Sequence, residues 1–364
     1  MRTRYSHLDP DLIQRLLSEM GLRRLFNHLL LQSGGDVEDA MQWMRMLQQR
    51  GYLDPDVDLD EFFAQLMEQN VIGTDGSGNL VLSAGGERQI RRDALDEIFG
   101  GLQRSMTGSH SVASAGQGTE RLSETRPYRF GDDPMAIDSI RSLQNAMQHN
   151  DPTQQITITE EDLEVFETEH NSSCATVVMI DISHSMILYG EDRITPAKKV
   201  ALALTELILT KYPKDAIDVL LFGDDATEVP ISEIPYVQVG PYHTNTKAGL
   251  QLAQQILRRR RHANKQIFMI TDGKPSALHE NGRLYTNSFG LDMKIVNRTL
   301  EEAERCRRAG IPITTFMLAT DPTLVNFVDQ LSKINRGRAF YASADRLGEY
   351  ILADYIRNRR KFVH

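Results

Sequence analysis

The sequence is poor in cysteine, tryptophan and long apolar runs. Two cysteines, Cys174 and Cys306, are the whole supply in 364 residues. They make no CxxC pair and no disulfide framework. Cys174 enters an apolar stretch and Cys306 lies in a helical one, so both are expected as reduced structural thiols. No uncharged apolar run approaches the ~20 residues that span a bilayer. The opening MRTRYSHLDPD is not followed by an apolar leader, so a secretory signal is not expected and a cytoplasmic location is. Positive charge is also in deficit: the formal net charge of −9 argues against general nucleic-acid binding and leaves the fold open. Catalytic signatures are missing as well, with no Walker A sequence, no GxGxxG after a strand, no HExxH and no GxSxG elbow. No repeat of fixed period is visible.

What is present is ordinary globular material, 40% apolar and 25% charged, long enough for two domains at about 100–200 residues each. Residues 1–103 read as a mainly helical domain. Asp9-Pro10 can start a helix carrying Leu12, Leu16, Leu17 and Met20. A second amphipathic stretch holds Val37, Met41, Trp43, Met44, Met46 and Leu47, and a third spans Leu59 to Val71 with Phe62, Phe63, Leu66 and Met67. Their Met and aromatic residues read as core. A turn at 74–78, a short strand Leu80-Val81-Leu82 and a helix from Glu87 to Leu102 complete a winged-helix-like outline. The acidic 54–61 stretch does not suit a DNA-facing surface.

Residues 104–126, rich in Gly, Ser and Thr without apolar periodicity, read as a flexible linker. Residues 127–172 hold RPYRFGDD, a helix from Ala136 to Met147 and accessory strands at 155–158 and 163–167. From 173 to 364 apolar strands alternate with helices: strands at 175–181, 216–222, 226–231, 266–271, 313–318 and 339–341, helices at 196–211, 247–260, 294–308, 324–334 and 347–356. Such alternation predicts a mostly parallel, doubly wound sheet covered on both faces.

The informative stretch is CATVVMIDISHSM, from Cys174 to Met186. Its apolar run breaks off at Asp181, and Ser183 and Ser185 follow at alternate positions. A carboxylate and two hydroxyls thus arrive at the carboxyl end of a buried strand, where open α/β sheets place their ligand sites. Oxygen ligands alone suit a hard divalent cation, Mg²⁺ rather than zinc. Two further strand-end loops can converge on the same crevice: Gly240 to Thr246, opening the helix that carries Leu250, and Thr271-Asp272-Gly273.

With these residues the chain resembles the von Willebrand factor A (VWA) family over about residues 173–360. The family's metal-ion-dependent adhesion site (MIDAS) is written DxSxS, then a later Thr, then an Asp after a further strand. Asp181, Ser183 and Ser185 match its first element, Thr244 its second in preference to Thr246, and Asp272 its third. The resemblance implies a Rossmann-like C-terminal VWA domain beside a smaller, mainly α-helical N-terminal domain. It also implies Mg²⁺, with Mn²⁺ or Ca²⁺ as alternative occupants, held by the hydroxyls of Ser183, Ser185 and Thr244, with Asp181 and Asp272 acting largely through water. Residue 184 is His where many relatives have Gly, so this turn must accept a Cβ and a ring.

The metal's open position would take an Asp or Glu from a protein partner. His184, Thr246, Arg258 and Arg259 are candidates for contacting it, although a helix end rich in Arg is also an ordinary solvated terminus. The layout, with RPYRFGDD and DLEVFETEHNSSCATVVMIDIS, is similar to bacterial cytosolic VWA proteins that work with MoxR-type AAA+ ATPases, as in ViaA, CoxE and magnesium-chelatase-like systems. The expected function is therefore a non-catalytic, Mg²⁺-dependent adaptor for a hexameric AAA+ ATPase. The alternatives are a Mg²⁺-dependent phosphohydrolase, weakened because Ser183 stands where a haloacid-dehalogenase pattern needs a second Asp, and a nucleic-acid-binding regulator acting through the N-terminal domain.

Overall fold

The structure, a computed structural model, describes residues 10–105, 120–128, 137–149, 158–169, 173–240, 242–280, 282–287, 290–318, 322–341 and 346–361. The described residues of 1–107 and 174–355 form one compact unit, and those of 108–173 and 356–364 another.

In the first unit, α1 (Pro10–Gln32) bends at Gly21 (φ 70°), where a left-handed backbone suits glycine. Next come α2 (Val37–Gln49) and α3 (Leu59–Glu68), each opened by an Asp that accepts backbone N–H groups of the first turn. The hairpin β1 (Ile72–Thr74) and β2 (Leu80–Leu82) and the helix α4 (Ala84–Ser105) follow. Phe26, Leu29, Leu30, Met44, Leu47 and Phe63 are buried in this helical part, whereas Met46 and Met67, also expected as core, are exposed on the outer faces of α2 and α3. The single strand expected at 80–82 gains a partner, with Ile72 opposite Leu82.

The second unit contains β3 (Glu120–Pro127), α5 (Ser139–His149) and β4 (Glu164–Glu169), with β3 antiparallel to β4. The linker reading of 104–126 needs correction at its end. Residues 120–126 form most of β3, a strand stitched by backbone pairing across a polar ribbon, which leaves no apolar alternation to read. Residues 106–119, most of RPYRFGDD and residues 155–157 of an expected strand lie outside the described residues; Ile158 is described and is not in a strand.

The chain then re-enters the first unit as β5 (Cys174–Asp181), α6 (Ile194–Lys211), β6 (Ala216–Phe222), β7 (Ala226–Val229), α7 (Thr246–Arg259), β8 (Asn264–Thr271), the hairpin β9 (Ala277–Glu280) and β10 (Arg283–Thr286), α8 (Met293–Arg308), β11 (Ile313–Met317), α9 (Pro322–Asn335), β12 (Arg338–Tyr341) and α10 (Leu347–Lys361). The sheet runs β12-β11-β8-β5-β6-β7 and is parallel except for β7 at its edge. Every residue of β5 is buried; each Val, Met or Ile there contributes on the order of 1.5–3 kcal/mol. One face of the sheet packs on α7, α8 and α9 around Met179, Leu250, Ile267 and Val296. The other carries α6, and Phe268 meets Tyr355 of α10 edge-on at 6.4 Å. Both cysteines are buried and neither is in a disulfide.

The N-terminal helices are built onto this sheet. Lys199 Nζ lies 2.8 Å from Glu97 Oε1, and Arg91 pairs with Glu206 at 3.3 Å. The buried Lys198 Nζ donates to the carbonyls of Leu31 (2.5 Å) and Val237 (3.0 Å), tying the end of α1 to α6 and to the loop after β7.

Candidate metal centre

β5 lies between β8 and β6, so Asp181 at its end is flanked by the ends of both neighbours. Ser183 N–H donates to Asp181 Oδ1 at 2.9 Å, folding the DxSxS loop back over its own aspartate. Thr271 Oγ1, at the end of β8, donates to Asp181 Oδ2 at 2.5 Å. Ser183 Oγ and Ser185 Oγ are 3.0 Å apart, and Ser185 Oγ donates to Asp272 Oδ1 at 2.8 Å. Thr244 is fixed from two sides: its N–H donates to Ser276 Oγ at 2.9 Å, and its carbonyl accepts from Ser276 N at 2.9 Å. Asn245 then caps α7 by accepting from Ala248 N.

Gly273 shows where these groups converge. A Cβ placed on it would stand 3.0 Å from Thr244 Oγ1, 3.1 Å from Ser185 Oγ and 3.6 Å from Asp181 Oδ2. Three of the five expected ligands therefore border one small space that glycine leaves open. The donor set is entirely oxygen, and both carboxylates are buried. Burial, and then the charge of Asp272, pushes the Asp181 carboxyl above the usual range. Burial pushes Asp272 the same way, against the hydrogen bond from Ser185 and the charge of Arg193. Two acids that resist ionising side by side, with hydroxyls between them, fit a small divalent cation.

Residues 174–356 match the vWA domain of the Rv0959-like proteins, and residues 120–168 match the third domain of the same proteins. The chain belongs to the Rv0959-like family. It is 32% identical over 315 residues to the uncharacterized protein Rv0959 of Mycobacterium tuberculosis, an alignment covering 83% of this chain and 46% of that protein. Mb0984 of Mycobacterium bovis matches to the same extent. The chain thus spans about half the length of these relatives. Among solved structures, the PilB minor pilin of Streptococcus sanguinis is similar at 14% identity and a TM-score of 0.42, over 57% of this chain and 67% of that one. The vWF domain of the type V pili tip protein Mfa5 of Porphyromonas gingivalis is similar at 14% identity and a TM-score of 0.41, over 51% and 96%.

In this Rv0959-like chain, His184 departs from the sequence pattern without backbone strain. It is absent from the positive-φ residues among those described, and opens a 3-10 turn (His184–Gly190) with an exposed side chain. Its N–H donates to Tyr242 O at 3.1 Å. Thr246 is buried at the first turn of α7, two residues beyond Thr244. Arg258 and Arg259 are not brought to this strand-end cluster. They close α7, about 20 Å along the helix from its start, and Arg259 pairs with Glu228 at 2.5 Å. Dipole and local ion pairing account for that basic end.

One residue escaped the sequence reading. Arg193, at the N-cap of α6, places Nη1 2.5 Å from Asp272 Oδ2 and pairs with Glu191 through Nε (2.9 Å) and Nη2 (2.7 Å). In sequence it is one more charge in EDRITPAKK; only the fold carries it to a strand end 79 residues away.

Proposed function

We propose that the chain is a non-catalytic protein-binding module that holds Mg²⁺ on Asp181, Ser183, Ser185, Thr244 and Asp272 and uses the ion to capture an Asp or Glu side chain of a partner. The observation that carries this reading is that Thr244, Ser185 and Asp181 border the space at Gly273, with Ser183 and the buried Asp272 each joined to Ser185 by a hydrogen bond. Mg²⁺ accepts oxygen ligands and retains waters readily. Hydroxyls neutralise little of its charge, and Arg193 draws on Asp272, so the ion would stay electrophilic toward an outside carboxylate. We read Ser183 and Ser185 as ligands, because among the described residues no histidine is hydrogen-bonded to either hydroxyl and the DxSxS loop is not a GxSxG elbow.

The partner we favour is a hexameric AAA+ ATPase of the MoxR type, with the N-terminal helices presenting a client in the cytoplasm. That choice rests on the resemblance of layout and of the segments before β5. Pull-down with purified ATPase candidates tests it. Binding is expected with Mg²⁺ and should be lost both in excess EDTA and in Asp181→Ala; retention under both conditions contradicts the metal-bridged mechanism. Phosphate esters offered to the purified chain should not be turned over.

A further inference from the structure

The Arg193 guanidinium is more elaborate than the neutralisation of Asp272 requires. Its three nitrogens are divided between two acids of opposite character. Nη1 faces inward to Asp272, which is fully buried, whereas the Nε and Nη2 edge meets Glu191, whose side chain is 64% exposed. The arginine itself is anchored. Its side chain is 14% exposed, its N–H donates to Met186 O at 3.0 Å, and it stands at the N-cap of α6, where Asp192 accepts from Thr195 N. Glu191 precedes this anchored turn, and among the described residues its side chain hydrogen-bonds to Arg193 alone. An ion pair to so exposed a carboxylate is weak, at most about fivefold in an equilibrium, so another carboxylate can replace it. The fork edge is also the geometry that binds carboxylates best.

Asp272 stands between Ser185 and Arg193, Oδ1 toward one and Oδ2 toward the other. The Asp272 carboxylate thus already fills the place between the Ser185 hydroxyl and the guanidinium, so one incoming carboxylate does not bridge them. We propose that the site recognises a partner segment bearing two neighbouring acidic side chains, one taken by the metal and the other by Arg193, and that Glu191 holds the guanidinium edge until the partner displaces it. This rests on the metal-dependent capture proposed above. It makes Arg193 a residue that sets specificity, and Glu191 an internal competitor.

The test uses the full chain saturated with Mg²⁺ and three blocked tripeptides: Glu-Gly-Glu, Glu-Gly-Gln and Gln-Gly-Glu. Calorimetry should show the two-acid peptide binding tighter than either single-acid one, by less than the roughly fivefold of one whole exposed ion pair because Glu191 must first be displaced. That advantage should vanish in Arg193→Gln and grow in Glu191→Gln, where the placeholder is gone. In the wild-type chain, the Arg193 Nε–H resonance should shift with the two-acid peptide only. Single-acid peptides binding as tightly as Glu-Gly-Glu, or Glu191→Gln leaving the ratio unchanged, would overturn the two-point reading and leave the metal-bridged one standing. Failure of every peptide to bind the Mg²⁺-loaded wild type would overturn both. The Glu191 variant and the wild-type resonance keep the test decisive if Arg193→Gln folds poorly.

Discussion

At the scale of residues, the proposed centre should depend on what stands at 273 as much as on its five oxygen-bearing side chains. Gly273 has no left-handed φ to protect, so alanine meets no backbone penalty there. The added methyl would instead enter the space bordered by Thr244, Ser185 and Asp181. Gly273→Ala should weaken Mg²⁺ binding by at least about tenfold, roughly 1.4 kcal/mol, with the urea midpoint of the metal-free protein nearly unchanged. Unaltered affinity by calorimetry would place the ion elsewhere.

Lys198 carries a different expectation. Burial brings its ammonium down to about 7 from 10.5. A neutral amine has two N–H donors, matching its two carbonyl acceptors, Leu31 and Val237. Between about pH 7 and 10.5 the unfolded chain binds a proton that the folded chain lacks, so this residue makes stability rise with pH across that window. Urea midpoints should increase from pH 7 to 9 in the wild type, and Lys198→Met should flatten that rise. The same slope in both proteins would show that the amine is charged when buried.

Among the elements, legibility followed burial. β5, β6, β8 and β11 read as strands because they are apolar runs covered on both faces, and α7 and α8 because one face is apolar and the other charged. The hairpin β9–β10 was missed: Arg283 to Thr286 is exposed throughout, and in ALHE the two buried residues, Ala277 and Leu278, are adjacent, so neither strand shows a period-two pattern. β3 was missed for the related reason that its pairing is made by backbone. DxSxS, Thr244 and Asp272 were legible as an ordered pattern, and Arg193 was not, since its role arises only where α6 begins beside β8. The joint between α1 and the loop after β7 was equally hidden. Gly34 and Gly35 adopt φ of 75° and 82°, and a Cβ on Gly35 would stand 2.3 Å from the Tyr236 ring. Gly35→Ala should cost about 1–3 kcal/mol in chemical denaturation; a neutral result would mean this junction is loose.

For the molecule as a whole, the helices before residue 107 and the sheet after 174 form one compact unit. Trp43, the one tryptophan of the sequence, lies in α2 and reports on that helical part. Ligand that binds only the folded state raises the stability of everything that unfolds with the site. Mg²⁺ should therefore raise the melting temperature seen by Trp43 fluorescence as much as that seen by circular dichroism of the whole chain. A Trp43 transition indifferent to Mg²⁺ would make the helices an independent domain.

The most direct measurement is calorimetric titration of MgCl₂ into the EDTA-stripped, dialysed full chain, run beside Asp181→Ala. A saturable one-to-one isotherm in the wild type, lost in the variant, is the result expected if the strand-end oxygens form a metal centre. Absence of binding in the wild type, or an isotherm that survives in Asp181→Ala, would contradict it.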